Sequence, residues 1–317
     1  METDALEKLI ERCGADYVAR RLSIQIQYSA DILGPGIGSF HFENSEKGMK
    51  IVGAVLRLLG VWRRGHANIW AHTIIHNVVR IHDLSPALEG FRILHLSDLH
   101  LDVSDGFSDH LGRLISDEDY DVALITGDFR FKTHGNYYPT LKAIEILSEY
   151  LKCKYGSYSI LGNHDFLEFV PTLEMCRIRT LLNESVRISI DGTGLWLIGL
   201  DDAHFYGAHN YKRAFEKVDI SELKILMIHS PETLEEAWRY GPDCIVTGHT
   251  HAGQICLPTG IPLWLNSTCD RDYCRGAWKY KGIPGYTSAG TGSSGLPIRF
   301  NCPPEIVIHH LTSSDAR

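Results

Sequence analysis

The sequence predicts an α/β fold, and three observations predict it. From residue 91 onward, short apolar runs of strand length alternate with longer stretches of helical periodicity. Hydrophobic residues make up 44% of the chain and charged ones 22%, enough for the large core that buried sheets require. Almost every apolar run ends in glycine together with aspartate, asparagine or histidine, as strands do when a site collects at their carboxyl ends.

The expected strands are Arg92–Leu96 and residues 122–126, 158–161, 196–200, 225–228 and 244–247, with a helix over 139–151 among the intervening segments. The first 85 residues read differently. Residues 4–13 and 17–32 have the spacing of short amphipathic helices, and a turn-rich stretch follows at 34–38. Residues 49–64 are apolar around most of a helical circumference and carry Lys50, Arg57, Arg63 and Arg64. That segment is too short to span a bilayer. It either lies flat on an anionic membrane, with Trp62 at the interface and arginines on phosphates, or packs on the main domain. The expected division is an N-terminal helical extension over 1–85 and one α/β domain over 86–317.

The amino terminus lacks a basic start followed by an apolar core, so no secretory signal is expected. No run of about eighteen apolar residues predicts a spanning helix. The eight cysteines are scattered without a CxxC pair, although Cys269 and Cys274 lie close in sequence, and they read as free thiols of a reducing compartment. A cytoplasmic protein, peripheral on the inner face of the membrane, fits these features. The formal charge of -8 argues against nucleic acid as a partner.

The strand ends carry the chemistry. The first gives Ser97-Asp98-Leu99-His100, the second Gly127-Asp128, and the third Gly162-Asn163-His164-Asp165. Later strands end at His229 and at Gly248-His249-Thr250-His251. Carboxylate, imidazole and amide oxygen together form a mixed ligand set that suits Mn²⁺, Fe or Zn²⁺ better than Ca²⁺. Each piece alone is common; five in order, each after an apolar strand, point to a metal site.

This ordered series resembles the signature of the calcineurin-like metallophosphoesterases, over roughly residues 88–311. The resemblance implies a four-layer α-β-β-α sandwich and two divalent metal ions. One is expected on Asp98, His100, Asp128 and His251, the other on Asp128, Asn163, His229 and His249. His164 is then the group that meets the phosphate or leaving oxygen, with Asp165 orienting its ring. Two cations about 3.5–4 Å apart clamp a phosphoryl group and activate a water for in-line attack.

The stretch from His251 to Pro258, with 288–300 and 302–306, is similar to the bacterial branch of YkuE- and YaeI-type phosphodiesterases. It is also similar to the lipid A pathway enzymes that hydrolyse UDP-2,3-diacylglucosamine. That resemblance implies a sugar-nucleotide lipid as substrate; a broad or nucleotide-directed phosphodiesterase is the alternative. Arg130 and Lys132 are candidates for a second phosphate or sugar diphosphate. Arg271, Arg275, Trp278 and Lys279 belong to a basic, aromatic stretch able to rim the site. Arg299 reads as structural, Asp201-Asp202 as a turn and His95, by strand parity, as a core histidine. A non-catalytic scaffold would be expected to have lost ligands or His164, and all are present.

Overall fold

The computed structural model describes residues 3–30 and 46–314, with side chains over 3–27 and 51–314. The turn-rich stretch read at 34–38, and the side chains of Met49 and Lys50, lie outside the described residues.

Among the described residues, twelve strands form two six-stranded sheets. In chain order they are β1 (Thr73–Ile81), β2 (Arg92–Leu96), β3 (Val122–Ile125), β4 (Ser157–Ser159), β5 (Ile178–Thr180), β6 (Glu184–Ile190), β7 (Thr193–Gly199), β8 (Leu223–Met227), β9 (Cys244–Thr247), β10 (Gly276–Tyr280), β11 (Ile283–Thr287) and β12 (Glu305–Ser313). The first sheet has the order β1-β12-β2-β3-β4-β5, the second β10-β11-β9-β8-β7-β6. The central pairs β2·β3, β3·β4, β7·β8 and β8·β9 are parallel. Their carboxyl ends therefore point one way within each sheet.

Strand alternation divides the apolar side chains among the layers. Ile93, Val122 and Leu124 face Leu195, Leu197, Ile225 and Met227 of the other sheet across the central core. Leu94, Leu96, Ala123 and Ile125 turn outward to the helices over Phe107–Ser116 and Tyr138–Ser148. Ile198, Leu226 and Ile245 meet the short helices over Tyr211–Ala214 and Leu234–Tyr240. Helix, sheet, sheet and helix give the four layers expected.

The boundary at residue 85 needs correction. Residues 73–81 form β1, paired in parallel along its whole length with β12, from Thr73 opposite Glu305 to Ile81 opposite Ser313. The strand belongs to the first sheet, and the helical part ends before it. As an edge strand it is half-exposed and mixes His76, Asn77 and Arg80 among its apolar residues, so its own sequence lacks a clear strand period. The amino-terminal helices are α1 (Thr3–Cys13), α2 (Ala15–Ala30), α3 (Glu46–Leu58) and α4 (Trp62–Ala67).

Helix α2 is bolted to the domain by a buried cation. Arg21 is fully buried; its Nε lies 3.1 Å from Asp201 Oδ2, its Nη2 donates to the carbonyl of Asp165 at 2.9 Å, and its guanidinium stacks 3.0 Å over the Tyr206 ring. Tyr17 donates to the same Asp201 oxygen at 2.6 Å, and Gln25 Oε1 accepts from Leu167 N at 3.1 Å. Asp202 accepts from the backbone N–H groups of Phe205 and Tyr206, so this Asp-Asp pair shapes a turn and a helix dock. Removing Arg21 strands the Asp201 carboxylate without its cation. Arg21→Ala is therefore expected to cost about 3–5 kcal/mol in a denaturant titration. A loss under about 1 kcal/mol would show that α2 is held by apolar contact alone.

Candidate dinuclear metal centre

The loops after β2, β3, β4, β8 and β9 converge where the two sheets' carboxyl ends meet. Three backbone hydrogen bonds set their spacing: Asp98 N to Gly127 O at 3.0 Å, His100 N to Asp128 O at 2.9 Å, and Gly248 N to His229 O at 2.9 Å. The chain must turn sharply at each strand end. Asp98, His100, Asp128, His249 and His251 all have positive φ, between 41° and 70°, a region that side-chain-bearing residues seldom occupy. Such strain gathers where surrounding structure over-determines a functional geometry. A Cβ on Gly127, at φ +91°, would fall 2.5 Å from Gly162 N, and a Cβ on Gly248 would fall 1.7 Å from Ser97 Oγ. Neither position accepts a side chain without separating the loops.

Two donor clusters result. In the first, His251 Nε2 lies 3.1 Å from His100 Nε2 and 3.4 Å from Asp98 Oδ1. In the second, Asn163 Oδ1 lies 2.9 Å from His229 Nε2 and 3.0 Å from His249 Nδ1. Asp128 Oδ2 stands between them, 3.5 Å from His229 Nε2 and 3.9 Å from His100 Nε2. All seven residues are buried. Donor atoms bound at about 2.0–2.2 Å to one ion, at ordinary coordination angles, sit roughly 3.0–3.5 Å apart. The clusters have that spacing, so the residues fit two cations with Asp128 shared.

Tautomers agree. His100 Nδ1 donates to the Arg130 carbonyl at 2.6 Å and His229 Nδ1 to the Thr126 carbonyl at 2.7 Å, which leaves both Nε2 lone pairs for a metal. Burial, then His164 beside it, holds His100 down at about 3, and burial holds His249 and His251 well below the ordinary imidazole range. These rings are neutral ligands. Burial alone would lower His229 as well, but the Asp128 and Asp98 carboxylates outweigh it and raise it, which marks this pocket as attractive to positive charge.

His164 stands beside His100 and Asp128, near enough for the three to form a candidate ligand group of their own. Its Nδ1 donates to the Phe131 carbonyl at 3.1 Å, leaving Nε2 3.9 Å from Asp128 Oδ2. The ring is thus oriented by Phe131, and the expectation for Asp165 is corrected. The Asp165 carboxylate accepts from Asp128 N at 2.7 Å, Phe129 N at 2.8 Å and Gly162 N at 2.9 Å. None of these hydrogen bonds goes to the His164 ring. The carboxylate ties the loops after β3 and β4 together and so positions Asp128 and Asn163. Burial and the neighbouring Asp128 charge raise its pKa, while the N–H donors favour the ionised form.

The predicted substrate contacts fare unevenly. Arg130 is fully buried, its Nη2 donating to the Gly135 carbonyl at 2.8 Å and its guanidinium 4.8 Å over the Phe166 ring. It supports the loop that carries His164's partner and does not face the cleft. Trp278 is a core residue: it packs among sheet and helix side chains and donates from Nε1 to Thr287 Oγ1 at 2.8 Å. Strand β10 pairs with β11 and turns Trp278 inward, where a ring can cover Gly285. Lys279 lines a separate depression beside Asn77, Arg80 and Pro284. Lys132, Arg271 and Arg275 are exposed and do not line the cleft at the metal ligands.

Other side chains line it instead. A cavity of about 270 Å³ opens over Asp128, Asn163, His164, His249 and His251. The rest of its lining is mixed: Val52 from α3 and Ile255, Leu263, Trp264 and Leu296 from the segments after β9 and β11 are apolar, while Thr250, Gln254, Asn266 and Ser294 are polar. Sequence reasoning missed this lining; the one signal was the uncharged, Pro- and Gly-punctuated run from 255 to 265. His204, which no motif marks, also stands at the site, grouped with Glu232 and His249. That ring lies 4.1 Å from the His249 ring, with Nδ1 2.8 Å from Glu232 Oε2. Arg299 is structural as expected: it is fully buried, bonds the carbonyls of Ala289 and Gly292, and lies 3.2 Å from His251 Nδ1.

Two donor clusters around one carboxylate, with the His164 imidazole alongside, are the machinery of a metal-dependent phosphoester hydrolase, and that is the class of this protein. The calcineurin-like phosphoesterase profile matches residues 91–253, and the chain belongs to that family. It is 29% identical to the uncharacterized metallophosphoesterase YkoQ of Bacillus subtilis, over 71% of this chain and 85% of that protein. It is 28% identical to an uncharacterized metallophosphoesterase of Helicobacter pylori, over 82% and 70%, and 27% identical to YkuE of Bacillus subtilis, over 72% and 81%. The solved calcineurin-like phosphoesterase YfkN from Bacillus subtilis aligns with a TM-score of 0.40 and 11% identity over 63% of this chain and 81% of that one.

Bound divalent cations supply Lewis-acid stabilisation of a phosphoryl group and activation of a water nucleophile. The buried imidazoles and the carboxylates of Asp98 and Asp128 would hold such cations, and the His164 ring would stand beside a phosphoryl group bound there. Because Asp165 acts through the ligand loops, Asp165→Asn is expected to lower metal affinity by about 10–100-fold in a chelator competition. Unchanged affinity with lost turnover would instead return Asp165 to a role on His164.

Proposed function

We propose that this hydrolase cleaves an amphiphilic phosphodiester or diphosphate, with UDP-2,3-diacylglucosamine the leading substrate and UMP and the acylated sugar phosphate the products. The observation that carries this reading is the apolar part of the lining directly over the metal ligands. A substrate that is polar throughout would gain nothing from Val52, Ile255, Leu263 and Leu296 there. An acylated substrate buries its chains against them while its diphosphate meets the metals and His164. Mn²⁺ is the favoured cation for the mixed oxygen and nitrogen set, with Fe or Zn²⁺ also compatible with the ligands. Lys132, Arg271 and Arg275 remain available for more distal charge on a large substrate.

Nucleotide-directed phosphodiesterase activity is the second reading. Trp264, 61% exposed at the cleft mouth, is placed to stack on a base. In the leading reading the same ring serves the uracil.

The test is release of UMP from UDP-2,3-diacylglucosamine by the Mn²⁺-loaded protein. His164→Ala should keep its metal and lose about 10²–10⁴-fold in kcat. Hydrolysis of a simple aryl phosphodiester with no release of UMP would keep the hydrolase and remove the lipid substrate. Full activity in His164→Ala would remove the assigned role of that residue.

A further inference from the structure

We infer that the mouth of the metal cleft is a docking face for an anionic bilayer, built from α3 and the hairpin at 255–265. On α3 and the turn that directly follows it, Ile51, Val55, Leu58 and Leu59 are 66%, 48%, 89% and 65% exposed. Their spacing of i, i+4, i+7 and i+8 puts them on one helical face. On the hairpin, Leu257, Ile261, Leu263 and Trp264 are 44%, 52%, 62% and 61% exposed. Exposed apolar residues scattered singly need no explanation, but a contiguous set does.

The two segments flank one opening. Val52 of α3 and Leu263 and Trp264 of the hairpin line the same cleft. Neither element is loosely attached. The Arg299 N–H donates to the Gly65 carbonyl at 2.9 Å, which fixes α4 to the domain behind α3. In the hairpin, Leu257 N donates to Ile261 O at 2.8 Å and Leu263 N to Ile255 O at 3.0 Å around a turn at Gly260.

Charge chooses the occupant. The chain carries a net -8, yet no aspartate or glutamate occurs from residue 47 to residue 82, and none from 254 to 269. Arg63 and Arg64 are exposed just beyond α3, and Arg57 stacks 3.7 Å over Trp62. An apolar face on segments free of acidic residues, with exposed arginines next in sequence to one of them, in an otherwise acidic protein, matches a sheet of acyl chains under anionic headgroups. No helix among the described residues is long and apolar enough to cross a membrane, so contact at this face is lateral. It would open the metal cleft toward the headgroup layer.

The full chain should sediment with phosphatidylglycerol–phosphatidylethanolamine vesicles, and at least tenfold less with phosphatidylcholine vesicles. Leu58→Glu and Ile261→Glu, both exposed and outside the cleft lining, should each weaken partition by roughly tenfold or more. Their melting temperatures should stay unchanged. Replacing Arg63 and Arg64 together by alanine should weaken binding to the anionic vesicles by about 30-fold. No sedimentation of the wild-type chain, or equal partition of both glutamate variants, overturns the inference. So does a dimer in solution that Leu58→Glu dissociates, because the face then belongs to a second copy. Vesicle binding is read without metal or turnover, so the docking face and the lipid substrate stand or fall separately.

Discussion

The buried carboxylate of Asp165 is the contact on which the rest of the site depends. It gathers three backbone N–H groups from two loops that belong to different strands. Those loops carry Asp128, which bridges the two donor clusters, and Asn163, which completes one of them. The next side chain in the loop, His164, is held by a main-chain carbonyl, so ligand placement and ring orientation use separate supports. Behind Asp165, its own carbonyl accepts from Arg21, which ties the amino-terminal helices to the ligand loops. The helical extension is thus part of the support for the metal centre.

The candidate metal ligands are buried, with His100, His249 and His251 neutral, and the geometry comes at a conformational cost. Five ligands sit in the left-handed region of backbone space. Each such residue costs of order 1–3 kcal/mol when it bears a side chain. Packing of two sheets and the hydrogen bonds between strand-end loops offset it. Cations bound among the donors would add to that offset, since two buried carboxylates otherwise face one another at close range.

The family fold and the metal ligands were legible because strand-end chemistry is local. An apolar run followed within a few residues by Asp-x-His, Gly-Asp, Gly-Asn-His-Asp or Gly-His-x-His keeps its meaning wherever the strand ends up. The seven candidate ligands come together at the strand ends. Asp165 was legible as important and misread in role, because sequence adjacency to His164 suggested a side-chain contact, whereas its carboxylate turns back to the loops. Trp278 and Arg130 were misread for a related reason. Aromatic and basic residues near a motif look like substrate contacts, but strand parity buried the first and loop carbonyls captured the second.

By itself the sequence determined the α/β class, the ordered donor set and the hydrolytic chemistry, since each follows from residue types at short spacing. Only the tertiary structure decided that β1 joins the first sheet, because its partner β12 lies at the other end of the chain. Only it brought α3 against the segments after β9 and β11 to make the apolar part of the lining over the ligands. Those contacts depend on pairing between distant segments, and no local period in either segment encodes its partner.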